Sequence, residues 1–348
     1  MKKNGRVIIL FLIFVILLGC SVRETYTVPV ESDLQMPPSL HEWLKTTDLD
    51  VDSSKPITLG FSQLGSESAW RLANTASVLE AAEESGIHVV MKNAEQSQSK
   101  QFEAIRSFIQ MKVDIIAIAP VVESGWEDIL LEVKQAGIPV IILDRSVKVK
   151  DTTLFVTTIG SNFYDEGLKA GKYLIDLMST QPSSIRIAEL QGTSDSTPSI
   201  QRGEGFRAAI ASRADVKIVQ SAPAEFTEQR GKEVMRRFLQ VPEHQRPHVL
   251  FAHNDDMAIG AAEAIREAGL QPGKDIIIIS VDGSRRALEE LKNGNINAVV
   301  ECNPLLGPLL MQAAKEMMSG RTLPKRMVPP EDIITQVRAA IEVNQSKF

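Results

Sequence analysis

Five short apolar runs in this chain end on side chains able to donate, accept or stack. Asp144 and Arg145 follow "VIIL", Asp282 follows "IIISV", Asn254 follows "LFAH", Glu301 follows "NAVV", and Trp70 and Arg71 lie just past the turn after "ITLGF". The set holds carboxylate acceptors, guanidinium donors, an amide that does both, and an indole face. That inventory suits a sugar. Each hydroxyl asks for a donor and an acceptor, and the C–H face of the ring asks for an aromatic plane. Blander readings stand beside it. Asp144 and Arg145 could pair in a loop, and Trp70 could pack its own helix. Trp126 in "ESGWEDIL" and Phe226 in "AEFTEQRG" divide between core packing and pocket wall. Asp255 and Asp256 read as helix N-terminal acids favoured by the dipole. His253 adjoins them and suggests a metal, but the chain has only five histidines and two cysteines, and no metal and no cofactor is expected.

The stretch "GFSQLGSESAWR" leaves backbone N–H groups free between a strand and a helix start. It could cradle a phosphate, raise a catalytic serine, or border a pocket for an uncharged polar ligand. Glu67, not serine, sits at the centre of "GSESA", and Ala69 stands where a nucleophile elbow has glycine. No G-x-x-x-x-G-K-[ST] loop occurs, and "GTSDSTPSIQRG" does not fit G-x-G-x-x-G. The pocket reading remains, with Glu67 as a hydroxyl acceptor at the rim. Two carboxylates such as Asp144 and Asp282 could also form a glycosidase pair, so a carbohydrate-active enzyme is kept as an alternative without a positive motif.

These residues need a scaffold that brings strand ends together. From Pro56 onward, apolar runs alternate with amphipathic segments: "ITLGF", "DIIAIAPV", "PVIILD", "LFVTTIG", "IRIAEL", "VKIVQSA", "HVLFAHN", "DIIIISVD" and "NAVVE". Runs this continuously apolar are buried on both faces, which predicts an α/β fold with parallel sheets between helix layers. In "WRLANTASVLEAAEESG", Leu72, Ala76, Leu79 and Ala82 mark the expected buried face, and Gly86 the C-cap. "VKQAGIPVIILDRS" and "IREAGLQPGKDIIIISVDGS" share one plan, which suggests two similar doubly wound halves. Ligands of open parallel sheets sit beyond the carboxyl ends of the strands.

The 348 residues are 43% hydrophobic and 24% charged, with a net charge of −6. Lys2, Lys3 and Arg6 precede the apolar run Val7 to Leu18, which ends at Gly19-Cys20. This reads as a secretory signal, too short to span a membrane, and "LLGC" resembles a lipoprotein signal with Cys20 acylated. Without residues 1–19 the chain has 35 basic and 44 acidic residues, or −9, which disfavours a nucleic-acid partner. If Cys20 carries lipid, Cys302 has no disulfide partner and reads as a small buried residue. Residues 20–55, rich in polar residues and proline, read as an anchor and tether with a reach of roughly 33 Å.

The segments "GFSQLGSESAWR", "IAPVVESGWEDIL", "IPVIILDRS", "ELQGT", "QRGEGF", "FAHNDDMAIGA" and "IISVDG" resemble, in order, the periplasmic pentose and hexose binding proteins of ABC importers. The resemblance runs from about Pro56 to about Gly320. The pair Trp70-Arg71, where ribose binders typically carry two phenylalanines, is similar to the galactofuranose-type branch. The resemblance implies two Rossmann-like lobes of periplasmic binding protein type I, joined by three hinge segments and closing on a monosaccharide. The first lobe is expected at 56–158 plus about 303–330, and the second at 159–302 plus about 331–348. It implies that Trp70 stacks on the ring and that Asp144, Asp282 and Glu301 accept from hydroxyls. Arg71, Arg145 and Arg202 of "QRGEGF" would donate, and Asn254 would do both. The expected protein is not an enzyme. It is a monomer, outside the cytoplasmic membrane and held there by Cys20, serving an ABC permease or, alternatively, presenting its closed form to a histidine kinase or chemoreceptor. Regulators that share the fold carry a DNA-binding domain where this chain has its signal segment.

Overall fold

The computed structural model describes residues 56–179, 184–345 and 348. The expected signal segment, Cys20 and tether lie outside the described residues. Among the described residues, no helix is long and apolar enough to cross a membrane.

The chain begins with β1 (Thr58–Gln63), α1 (Ala69–Ser85), β2 (His88–Asn93), α2 (Gln98–Met111), β3 (Ile115–Ile118), α3 (Glu127–Gln135), β4 (Val140–Leu143) and β5 (Thr157–Ile159). It continues through α4 (Phe163–Leu177), β6 (Ile185–Gln191), α5 (Thr197–Ile210), β7 (Val216–Pro223), α6 (Glu228–Leu239), β8 (Val249–Ala252), α7 (Asp255–Glu267) and β9 (Ile277–Asp282). The last elements are α8 (Arg285–Lys292), β10 (Ala298–Glu301), α9 (Gly307–Met318), β11 (Arg326–Met327), β12 (Ile333–Thr335) and α10 (Gln336–Gln345).

Two six-stranded sheets result, in the orders β11-β5-β4-β3-β1-β2 and β12-β10-β9-β8-β6-β7. Among the described residues, all strand pairings are parallel except β10 with β12, which is antiparallel. Strip off the first strand of each and the two orders are the same, so the shared plan read in the sequence extends to the sheets: β4 and β9 hold equivalent places. The chain changes sheet three times, after β5, β10 and β11.

The central strands β3, β4 and β8 are buried along their whole length, as continuous apolar runs between helix layers must be. Three strands have no counterpart among the expected runs. β2, "HVVMKN", is an edge strand with exposed His88, Met91 and Asn93, so it offers no continuous apolar signal. β11 and β12 are only two and three residues long.

The face of α1 corrects the sequence reading. Leu72 and Leu79 are exposed, and the helix buries Trp70, Arg71, Asn74, Ser77, Val78, Ala81 and Ala82. Hydrogen bonding makes that polar face tolerable. Asn74 donates to the Pro304 carbonyl (3.0 Å) and accepts from Gln63 (3.1 Å), while Ser77 Oγ accepts from Gly307 N (3.1 Å). Gly86 does cap the helix, in the left-handed conformation, with φ 68°.

Candidate functional site

The strand ends of both sheets converge on one cavity. Glu67, Trp70 and Arg71 reach it from the turn and helix after β1, and Asp144 and Arg145 from the end of β4. Arg202 comes from α5, Phe226 from the turn after β7, Asn254 from the start of α7 and Asp282 from the end of β9. Nine of the ten side chains singled out in the sequence therefore meet here. Glu301 does not. Its Oε2 accepts from the backbone N of Asp332 (2.8 Å), and it borders a second cavity with Asn303, Pro330 and Ile334. One residue further along, on the other side of the pleat, Cys302 borders the first cavity. Trp126 resolves to packing: it is fully buried, donates to the Val122 carbonyl (2.7 Å) and meets Phe102 edge-on.

Local structure aims each group. Ser68 caps α1 by accepting from Arg71 N (3.1 Å), which sets the helix start that carries Trp70 and Arg71. Trp70 Nε1 donates to the Cys302 carbonyl (2.7 Å), and the Arg71 guanidinium lies 4.6 Å from the indole centroid. Asn254 caps α7 through Met257 N (3.0 Å) and donates to the Phe226 carbonyl (3.2 Å), leaving one lone pair and one N–H for a ligand. Gly192 makes room for Phe226: a Cβ there would fall 1.8 Å from the ring. Asp255, buried under the turn after β9, accepts from Gly283 N (2.9 Å) and Ser284 N (2.7 Å) and so fixes the backbone next to Asp282.

The charges form two groups. In the first, Arg71 donates to Asp144 at 2.5 Å, with Glu67 at 3.5 Å, and Arg145 lies 3.7 Å from Glu67 and 4.0 Å from Asp144. Burial alone would lower the pKa of Arg71, but Asp144 and Glu67 outweigh it and the pKa is raised. Arg145 is pulled down to about 10 by burial and by the like charge of Arg71. In the second group, Arg202 donates to Glu166 (2.6 Å) and to the His253 carbonyl (2.5 Å), and lies 3.7 Å from Asp282. Burial pushes the Asp282 carboxyl well above its ordinary range, and Arg202 offsets this only in part.

These groups are nearly sealed from water: Arg71, Arg145 and Arg202 are each 3% exposed. Yet Glu67 Oε2, Arg71 Nε and Nη1, and Arg145 Nε make no hydrogen bond among the described residues. Buried polar atoms left without partners are costly, so a cluster of them facing one cavity marks where a polar ligand belongs. Besides Cys302, three further contributors escaped the sequence reading. Phe163 and Pro198 line the cavity and are apolar, so a search for hydrogen-bonding side chains passes over them. Glu166, 1% exposed inside a helix, is revealed only by its ion pair with Arg202. Among the described residues, Glu166, Cys302 and Glu331 also place ligand-type atoms within 4.8 Å of one another, with Arg202 already pairing Glu166.

Two sheets of shared strand order around one polar cavity are the arrangement of a solute-binding protein. The chain belongs to the periplasmic binding protein family: the family described as "periplasmic binding protein domain" matches residues 59–322. It is 41% identical over 273 residues to the galactofuranose-binding protein YtfQ of Escherichia coli K12, covering 78% of this chain and 85% of that one. A Mycobacterium smegmatis structure in complex with β-D-fucofuranose superposes with a TM-score of 0.80 at 45% identity, covering 82% and 93% of the two chains. The periplasmic binding component of the arabinose ABC transporter of Shewanella sp. ANA-3, bound to α- and β-L-arabinofuranose, gives 0.80 at 45%, covering 83% and 95%. The fructose-binding periplasmic domain of the hybrid two-component system BT1754 gives 0.75 at 27%, covering 83% and 94%.

Proposed function

We propose that the chain captures a monosaccharide in its furanose form and delivers it to an ABC permease. The observation that carries this reading is the set of unpartnered donors and acceptors on Glu67, Arg71 and Arg145, three residues that line one cavity. Guanidinium groups and carboxylates both line it, so a neutral polyol fits better than an anion. Relatives named for galactofuranose, fucofuranose and arabinofuranose support the furanose. Trp70 supplies the stacking face. Asp144 and Asp282 accept, Arg71, Arg145 and Arg202 donate, and Asn254 does both. Phe226 and Glu67 close the wall.

The lobes in this reading are 56–158 with about 303–330, and 159–302 with about 331–348. Ligand touches both only when they are closed, so it shifts the population toward closure. No bond is made or broken, in keeping with relatives that are binding proteins. Cys20 carries the lipid that holds the monomer outside the membrane. Calorimetric titration with L-arabinose, D-galactose and D-fructose tests the site. Micromolar binding of at least one is expected, and binding of none overturns the reading. Cys20→Ser should release the protein from the membrane fraction.

A second reading, the same closed form presented to a sensor kinase, is favoured by the likeness to the two-component domain. A permease that takes up the bound sugar only when this protein is added would exclude it.

A further inference from the structure

Asp256 lies in the first turn of α7, which follows β8 of the second sheet. Its Oδ2 accepts from the backbone N of Ala69, 2.9 Å away, at the start of α1, which follows β1 of the first sheet. Asp256 is 9% exposed and does not border the cavity. We propose that Asp256 is a cross-cleft latch: it sets how long the closed form lasts without touching the ligand. This rests on the reading of ligand capture by closure.

The physical case starts from α1. The first N–H groups of a helix have no acceptor inside it. Ser68 Oγ takes the one on Arg71, at 3.1 Å, and Asp256 takes the one on Ala69. The starts of α1 and α7 are therefore brought close together, positive end to positive end, and one carboxylate interacts favourably with both dipoles. If the halves part, Asp256 keeps the dipole of its own helix but loses Ala69, whose N–H returns to water. The contact therefore favours the closed form specifically. Elsewhere between the two halves, Ser146 N donates to Thr197 Oγ1 (3.0 Å) and Glu123 N to the Asp195 carbonyl (3.0 Å). Those acceptors are neutral, and hydrogen bonds to ionised acceptors are roughly twice as strong.

Two variants remove the contact from opposite sides. Asp256→Ala deletes the acceptor. Ala69→Pro deletes the donor at the first position of α1, where proline is tolerated, and Ser68 already has the extended backbone that a following proline requires (φ −138°, ψ 160°). Spin labels on exposed Lys112 and Lys217, one in each half, report open and closed populations with and without L-arabinose or D-galactose. Each variant should raise the open-to-closed ratio about tenfold, and the double variant should add little to either. Asp256→Asn, which keeps an acceptor oxygen, should fall between. With a sugar that binds the wild type, release should be about tenfold faster and association within about twofold. Unchanged label distances in both Asp256→Ala and Ala69→Pro overturn the latch whether or not a sugar binds. Failure of the wild type to bind any sugar, with the label distances still shifted in the variants, overturns the ligand assignment and leaves the latch standing.

Discussion

Asp144 and Asp282 stand at matching places in the two sheets, each at the carboxyl end of an equivalent strand, β4 or β9. Both have positive φ, 63° and 129°, where non-glycine residues are rare. Each points its carboxylate at a buried arginine, Arg71 at 2.5 Å for Asp144 and Arg202 at 3.7 Å for Asp282. Backbone conformations of this kind cost on the order of 1–3 kcal/mol and persist where the surroundings enforce them. At Asp144 the enforcement is visible: Gly160 passes so close that a Cβ there would lie 2.5 Å from the Asp144 carbonyl oxygen.

Asp144→Ala should be costly twice. It removes the closest partner of a buried guanidinium, leaving Arg71 with Glu67 at 3.5 Å. Breaking one side of a buried pair costs about 3–5 kcal/mol, so urea unfolding should show a loss of about 3 kcal/mol and sugar binding should vanish. Asp144→Asn should lose less stability. An unchanged urea midpoint in the alanine variant would show that Glu67 takes over the pairing.

Trp70 and Trp126 should report differently on ligand. Trp70 borders the cavity and Trp126 is buried in a separate apolar cluster. A sugar-dependent change in tryptophan fluorescence should disappear in Trp70→Phe and persist in Trp126→Phe. Persistence in Trp70→Phe would count against stacking on the indole.

Stability should depend on pH through Glu331. Burial, with Glu166 close by, pushes its carboxyl from the ordinary 4.5 up to about 8. The folded chain then holds a proton that the unfolded chain releases. This contribution is fully present below about pH 4.5 and is lost as pH rises through about 8. Glu331→Gln, which mimics the protonated form and keeps an acceptor for Asn303 N, should flatten the decline of unfolding midpoint between pH 5 and 9. An equal decline in the variant would place the proton elsewhere.

Glu301→Gln should leave sugar affinity within about threefold, because the carboxylate accepts from Asp332 N and lies outside the site cavity. Asp282→Ala should weaken binding by an order of magnitude or more, because ligand and the buried Arg202 both lose a partner. Titration of both variants with the same sugar separates them. A large loss in Glu301→Gln would mean that the carboxylate turns into the cavity when ligand binds.

Much of the architecture was legible because strand burial leaves a local trace. Continuous apolar runs such as "VIIL" and "VLFA" read as central strands, and in a doubly wound fold the residues that follow them gather at one edge. That argument alone brought Asp144, Arg145, Asn254 and Asp282 under suspicion. Trp70 and Arg71 came from the same rule, applied past the turn after β1.

What local pattern could not decide was set by contacts between segments far apart in the chain. The buried face of α1 depends on Pro304 and the start of α9, more than two hundred residues away: the Pro304 carbonyl accepts from Asn74 and Gly307 N donates to Ser77 Oγ, while the leucines stay exposed. A one-residue step at the end of β10 puts Glu301 at the second cavity and Cys302 at the first, because successive side chains of an extended chain point to opposite faces. Asp256 read as an acid serving its own helix. Only the approach of the two sheets shows that it also serves the helix opposite. Periodicity and composition determine which segments become strands and helices. Which side chains meet across 100 or 200 residues follows from packing, and only the tertiary structure holds that.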